Sequence, residues 1–191
     1  MKKYKKIKDF IQVKDILPDI VIEQRYAGNN NFMHKVIYSV PVCVLRENTA
    51  NKLVKADSDF KKLGYKIKIW DGYRPLSAQK MMWELVKDPK FIANPYNGRA
   101  SIHNRGCAVD ITLVDENGDE IEMPSQFDDF SIKATRYNKN MSEAAAENLK
   151  ILTDVMLKNG FNKLDDEWWH YTDTDWKSYK VEDIDLNEFL I

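Results

Sequence analysis

One segment of this sequence, SIHNRGCAVD (101–110), combines a histidine and an aspartate at a spacing that suits a metal centre. His103 precedes a predicted strand, Asp110 lies within that strand, and Gly106 stands between them. Because glycine lets the backbone bend, the segment can fold back and aim the imidazole and the carboxylate at one point. Both groups are ligands that several divalent metals accept. The segment therefore supplies two candidate ligands of a metal site.

A second segment, EWWH (167–170), offers another histidine and another carboxylate. A catalytic zinc ion takes three protein ligands and keeps a fourth position for water. His103, Asp110 and His170 would be those ligands, and the net positive site would lower the pKa of the bound water toward neutrality. Glu167 could then accept a proton as the water attacks a carbonyl carbon.

An arginine at the end of a predicted strand could complete this chemistry. In WDGYRP (70–75), Arg74 lies between Tyr73 and Pro75. The oxyanion that develops at an attacked carbonyl needs a fixed cation or dipole besides the metal. The guanidinium could be that cation.

The second segment carries a geometric constraint. Residues three apart in a regular strand point to opposite faces, so Glu167 and His170 would diverge. Both can serve one site only if Glu167 precedes the regular strand or a bulge re-aims it. The acidic run DDE (165–167) ahead of the aromatic residues favours the first arrangement.

Each of these residues also has a purely structural interpretation. His103 could cap a backbone carbonyl in a loop, and Asp110 could lie on an exposed strand face. Glu167 and His170 could stand at the edges of an ordinary aromatic strand. Arg74 could stack on a neighbouring ring or brace a carboxylate. Only their combination in one chain favours catalysis.

The elements that must position these residues follow from hydrophobic periodicity and turn residues. Helices are predicted over 47–63, from a Ser77 cap to about 86, and from a Ser142 cap to Gly160. Strands are predicted over 19–26, 65–71, 106–114 and 167–172, with a hairpin at Asn117-Gly118 into 119–123. Mixed strands and separated helices indicate an α+β fold, a single domain spanning 1–191 with a central antiparallel sheet flanked by helices.

Composition narrows the class of protein. The chain has 191 residues, of which 43% are hydrophobic and 31% charged, as in a globular domain. The formal net charge of -1 argues against nucleic acid and anionic membranes as partners. A basic run opens the chain, but no signal peptide or span of ~20 apolar residues is present. With only two cysteines, a cytoplasmic protein with reduced thiols is expected.

At the two histidine segments the chain resembles a known family. SIHNRGCAVD fits the SxHxxGxAxD pattern, and EWWHY fits the ExWH pattern, of the hedgehog-related zinc DD-peptidases. Further segments resemble the VanX-type D-alanyl-D-alanine dipeptidases: YAGNNNFMHKVIY, WDGYRP, MPSQFDDF and NLKILTDVMLKNGF. These matches run in order from about residue 20 to 172.

The resemblance implies a function and a set of roles. It implies one Zn²⁺ per chain and hydrolysis of the small dipeptide D-Ala-D-Ala to two D-alanines, with metal-bound water as nucleophile. The implied metal ligands are His103, Asp110 and His170, with Glu167 as base and Arg74 stabilising the tetrahedral intermediate. Tyr26 and Asp128 would hold the substrate ammonium, and Ser101 and Tyr38 would face its carboxylate.

Two other functions share part of this pattern. A D,D-carboxypeptidase or endopeptidase acting on peptidoglycan stem peptides has both metal motifs, but it would normally act outside the membrane. A non-catalytic, hedgehog-like zinc-binding module would close all four metal positions with protein ligands. Here the fourth ligand would have to come from Glu167, His34 or a cysteine.

Overall fold

A computed structural model describes residues 6–190, and its centre is a five-stranded sheet. The strands are β1 (Phe10–Gln12), β2 (Val21–Ile22), β3 (Val44–Arg46), β4 (Lys66–Asp71), β5 (Ala108–Val114), β6 (Phe161–Lys163) and β7 (His170–Asp173). The order in the main sheet is β2-β4-β5-β7-β6. Only the edge pair β2–β4 is parallel, so the predicted α+β fold with a largely antiparallel central sheet is confirmed.

Within residues 6–190 the sheet is accompanied by four α-helices: α1 (Val13–Ile16), α2 (Glu47–Lys62), α3 (Leu76–Val86) and α4 (Glu143–Lys158). Helix α2 packs against β4 and α4, and α4 packs against β6. The predicted cap of α4 is confirmed, because the Ser142 hydroxyl accepts the Ala145 N–H at 3.0 Å. The predicted cap of α3 is wrong: Pro75 precedes the helix and Ser77 lies inside it.

Two predicted strands are much shorter in the structure. Strand β2 covers only Val21–Ile22, because the chain then turns at Gln24 into a single 3₁₀ turn over Arg25–Ala27. The hairpin turn at Asn117-Gly118 is present, but the segment after it makes only an isolated bridge from Glu120 to Val114. This 3₁₀ turn carries Tyr26, one of the predicted site residues.

A smaller two-stranded sheet, β1 against β3, lies close to the loop that carries His103. Gly106 ends that loop with a positive φ of +73°, and a Cβ there would lie 2.3 Å from Cε1 of Phe10. No side chain fits without displacing the buried Phe10 ring. Glycine is therefore required both for the backbone conformation and for the close approach.

Replacing Gly106 by alanine is expected to destabilise the fold by roughly 1–3 kcal/mol, the usual cost of overpacking. Urea or thermal unfolding would measure the loss. Gly98→Ala is the matched control, because Gly98 has a similar φ of +77° but nothing among residues 6–190 lies within 4 Å of the position that its Cβ would take. Equal losses in both variants would show that backbone strain alone, without the Phe10 contact, accounts for the effect.

The structure bears on some of the predictions about the whole chain and leaves others untested. Cys43 and Cys107 are both buried, and neither forms a disulfide bond within the described residues. Within residues 6–190, no helix has the length and apolar character needed to cross a bilayer. The first five residues of the basic N-terminal run lie outside the described residues. The single-domain organisation and the cytoplasmic location stay predictions.

Candidate metal centre and active site

Three candidate metal ligands converge where β5 pairs with β7. His103 lies in a 3₁₀ turn just before β5, Asp110 lies within β5, and His170 opens β7. Asp110 and His170 are direct register partners across the antiparallel pair. One ligand atom from each residue lies within 4.8 Å of the others, and all three residues are buried. The exposed-face interpretation of Asp110 is therefore wrong.

The distances within this cluster are those of groups that share one centre. His103 Nε2 lies 3.2 Å from His170 Nδ1 and 3.3 Å from Asp110 Oδ2. His170 Nδ1 lies 3.0 Å from Asp110 Oδ1. On the opposite sides of the rings, His103 Nδ1 lies 2.7 Å from the Gly72 carbonyl oxygen and His170 Nε2 lies 3.0 Å from Thr172 Oγ1.

These outer contacts indicate the ring tautomers. We assign the proton of His103 to Nδ1, which donates to the Gly72 carbonyl, and that of His170 to Nε2, which faces the Thr172 hydroxyl. Two nitrogen lone pairs and a carboxylate then face the same point, and such groups repel one another unless a cation lies between them. Outer hydrogen bonds that orient histidines in this way are typical of metal ligands. The donor set fits a divalent metal ion such as Zn²⁺.

Asp110 and His103 shift each other's pKa. Burial alone would raise the pKa of Asp110, but the neighbouring histidines outweigh burial and lower that pKa. Burial alone would lower the pKa of His103, yet the charge of Asp110 raises it. Asp110 therefore remains ionised, which a metal ligand requires.

Glu167 reaches the same cluster because it precedes β7. The residues between Glu167 and His170 form a turn, in which the His170 N–H donates to the Glu167 carbonyl at 3.3 Å. Glu167 Oε2 lies 3.8 Å from His170 Nδ1, and its side chain is 30% exposed. Burial is the largest contribution that raises the pKa of this carboxyl. Of the two arrangements that the strand geometry allowed, the structure has the one without a bulge.

Arg74 is buried beside the cluster and is paired with Asp71, a residue that the sequence did not single out. Its Nη2 lies 2.7 Å from Asp71 Oδ2, and its Nη1 donates to Gln79 Oε1 at 2.8 Å. Nε lies 3.2 Å from Asp71 Oδ2 and 3.3 Å from the Tyr38 hydroxyl. Of the five guanidinium N–H groups, two have no partner among residues 6–190. A carboxylate three residues before an arginine was the only sequence signal for this pair.

Of the remaining predicted site residues, Tyr26 and Asp128 contact each other, whereas Ser101 and Tyr38 support other residues of the site. The Tyr26 hydroxyl donates to Asp128 Oδ1 at 3.1 Å, and burial raises the pKa of Asp128 to about 8. The Ser101 hydroxyl accepts the His103 N–H at 3.3 Å and so holds the turn that carries this ligand. The Tyr38 hydroxyl donates to Asp71 at 2.8 Å and lies behind Arg74.

A single cavity of about 330 Å³ brings most of these residues together. Its walls include all the predicted site residues except Tyr38, namely Tyr26, Arg74, Ser101, His103, Asp110, Asp128, Glu167 and His170. The candidate metal ligands, the candidate base and the candidate cation thus line one cavity. This arrangement defines the class of metal-dependent hydrolases in which an acid beside the metal activates water.

The chain belongs to the D-ala-D-ala dipeptidase family, Peptidase M15, whose model matches residues 6–186. It is 34% identical over 163 residues to the D-alanyl-D-alanine dipeptidase of Escherichia coli (strain K12), covering 85% of this chain and 83% of that protein. It is 30% identical over 181 residues to the D-alanyl-D-alanine dipeptidase of Enterococcus faecium, covering 85% and 90%.

A solved structure of the vancomycin resistance D,D-dipeptidase VanXYg, in complex with a D-Ala-D-Ala phosphinate analog, also aligns with this chain. The TM-score is 0.46 at 17% identity, and the alignment covers 98% of this chain and 76% of that chain.

Proposed function

We propose that this protein is a zinc metallopeptidase that hydrolyses the dipeptide D-Ala-D-Ala to two D-alanines. The single observation that carries the proposal is the buried cluster of His103, Asp110 and His170, with Glu167 beside it in one cavity. Membership of the D-ala-D-ala dipeptidase family supports the choice of substrate.

The residues fit one metal ion per chain. His103, Asp110 and His170 would hold Zn²⁺, which when bound polarises the scissile carbonyl and acidifies water. Glu167 accepts the proton that the attacking water loses and delivers it to the amine of the departing D-alanine. Burial raises the pKa of the Glu167 carboxyl, which favours its holding the proton between the two transfers.

The two ends of the substrate would meet oppositely charged or polar groups. The ammonium is held by Asp128, which is supported by the hydroxyl of Tyr26. The carboxylate faces Ser101, with Tyr38 behind the cavity wall as a support for Arg74. The two N–H groups of Arg74 that have no partner within residues 6–190 would donate to the oxyanion. A substrate that lacks the free ammonium brings no cation to stabilise the ionised form of the buried Asp128 carboxyl and is disfavoured.

Hydrolysis assays on the zinc-loaded protein test this function. D-Ala-D-Ala is expected to be cleaved, whereas L-Ala-L-Ala and an N-acetylated tripeptide ending in D-Ala-D-Ala are expected to remain intact. Mass spectrometry identifies the products. Cleavage of the tripeptide in preference to the dipeptide would instead make the protein a D,D-carboxypeptidase. Zinc binding without cleavage of any of these peptides would contradict both functions and favour the binding module.

Metal analysis tests the ligand set separately from activity. We expect about one zinc ion per chain in the purified protein, as three protein ligands around one centre imply. His103→Ala and His170→Ala should each reduce zinc to a small fraction of that value after dialysis. His34→Ala is the matched control, because His34 is the remaining histidine and is exposed. Zinc loss in the control as well would contradict the assignment.

A further inference from the structure

Two aromatic side chains stand between the catalytic cavity and a second, outer cavity. The outer cavity has a volume of about 300 Å³ and is lined by Phe91, Phe130 and Glu167, which also line the catalytic cavity. The centroids of the Phe91 and Phe130 rings are 4.6 Å apart, so the rings touch. We call this pair the aromatic partition. It has no part in the proton transfers or the metal binding described above.

We propose that the aromatic partition limits the enzyme to free dipeptides, by separating the catalytic cavity from a groove that would otherwise accept the rest of a longer peptide. The inference rests on the proposed function and adds to it a determinant of substrate length. It assigns a role to Phe91 and Phe130, for which the sequence motifs gave no function.

The partition stands on the side toward which a longer substrate would extend. A peptide that ends in D-Ala-D-Ala keeps its carboxylate in place and continues from the nitrogen that is the free ammonium of the dipeptide. That ammonium is assigned to Asp128, and Phe130 follows two residues later on the same loop. Added residues at the N-terminal end would therefore meet the Phe130 ring first.

Phenylalanine rings from three loops pack together and hold the aromatic partition in place. Phe130 contacts Phe91 on one side and Phe32 on the other, with the Phe32 ring edge-on at a centroid distance of 4.8 Å. These residues come from three loops that are distant in the sequence, so the contact ties the mouth of the cavity together. All three rings are only partly buried, so replacing them creates space at the surface and not a cavity in the core.

The outer cavity has the character of a peptide-binding groove. Lys90, Asp129 and Ser131 supply charged and hydroxyl groups along its wall, and Ile132, 68% exposed, supplies apolar surface. Such a mixture suits backbone amides and carboxylates of a peptide better than it suits a purely apolar ligand. Without the aromatic partition, the two cavities would become one continuous groove that passes Glu167.

The test compares two substrates in the zinc-loaded, full-length protein. Phe130→Ala, Phe91→Ala and the double variant are assayed on D-Ala-D-Ala and on an N-acetylated tripeptide ending in D-Ala-D-Ala. We expect kcat/KM for the tripeptide, divided by that for the dipeptide, to rise roughly tenfold or more in the double variant. The new product should be one D-alanine per peptide, because the last peptide bond is still the one cleaved.

Two matched variants separate ring size from general disturbance. Phe130→Trp keeps a large ring and should keep the selectivity of the unmodified protein. Val36→Ala, at an exposed apolar residue that lines neither cavity, should leave both rates unchanged. An unaltered substrate ratio in folded Phe130→Ala and Phe91→Ala variants that still cleave D-Ala-D-Ala would overturn the partition alone. Failure of the unmodified protein to cleave D-Ala-D-Ala would instead overturn the proposed function.

Discussion

Replacing Glu167 by glutamine is expected to lower kcat for D-Ala-D-Ala hydrolysis by roughly 10²–10⁴-fold, the usual contribution of a general base. Glutamine has the same shape but accepts no proton at neutral pH, so the attacking water loses its acceptor. Zinc content should stay near the level of the unmodified protein, because Glu167 is outside the ligand set. Steady-state kinetics and metal analysis on the same preparation measure both effects.

Asp166→Asn is the matched control for Glu167→Gln. Asp166 is the preceding acid and is exposed, and it lines the outer cavity but not the catalytic one. Its variant should keep kcat within a few-fold of the original. A Glu167→Gln enzyme of nearly full activity would remove Glu167 from the mechanism. Loss of zinc in that variant would show that Glu167 is a ligand and not the base.

Replacing Arg74 by lysine is expected to lower kcat by roughly 10²–10³-fold, as for the loss of a donor to a developing oxyanion. Lysine keeps the positive charge opposite Asp71 but lacks the planar fork that engages Asp71, Gln79 and the substrate at once. KM should change less than kcat, because the lost contact forms mainly in the transition state.

The Arg74 variant needs a control for stability as well as for charge. Breaking a buried ion pair outright costs about 3–5 kcal/mol, which is why lysine is preferred here to alanine. Arg99→Lys, in an exposed loop, is the matched substitution and should leave kinetics and unfolding unchanged. If Arg74→Lys lost stability but kept its kcat, Arg74 would be a structural partner of Asp71 and not a catalytic residue.

Patterns among neighbouring residues were sufficient to predict the helices and strands whose ends such patterns mark. The periodicity of apolar residues and the Ser142 cap gave α4 almost to the residue, and alternation gave β4 within one residue. The two histidine segments also gave the metal cluster, because spacing around a glycine turn is a local property. The two segments meet because β5 pairs with β7, and no local sequence pattern predicts that pairing.

Features that depend on distant contacts were missed. Strands β1, β3 and β6 are three residues each, too short to show periodicity, and they exist because partners elsewhere in the chain complete their hydrogen bonds. The sequence assigned no role to Asp71 of WDGYRP. The structure shows that its carboxylate forms an ion pair with the Arg74 guanidinium. The aromatic partition joins loops that are distant in the sequence, and no sequence pattern predicted their contact.

The pairing of Asp110 with His170 makes the proposed metal site depend on the correct alignment of two strands. These ligands are direct partners across β5 and β7, and side chains alternate between the two faces of a strand. A slip of one residue in β7 would turn the His170 side chain to the opposite face of the sheet, away from Asp110. With the proposed ligand set, a chain with the wrong strand alignment would lose its affinity for zinc, and zinc binding would favour the correctly aligned sheet.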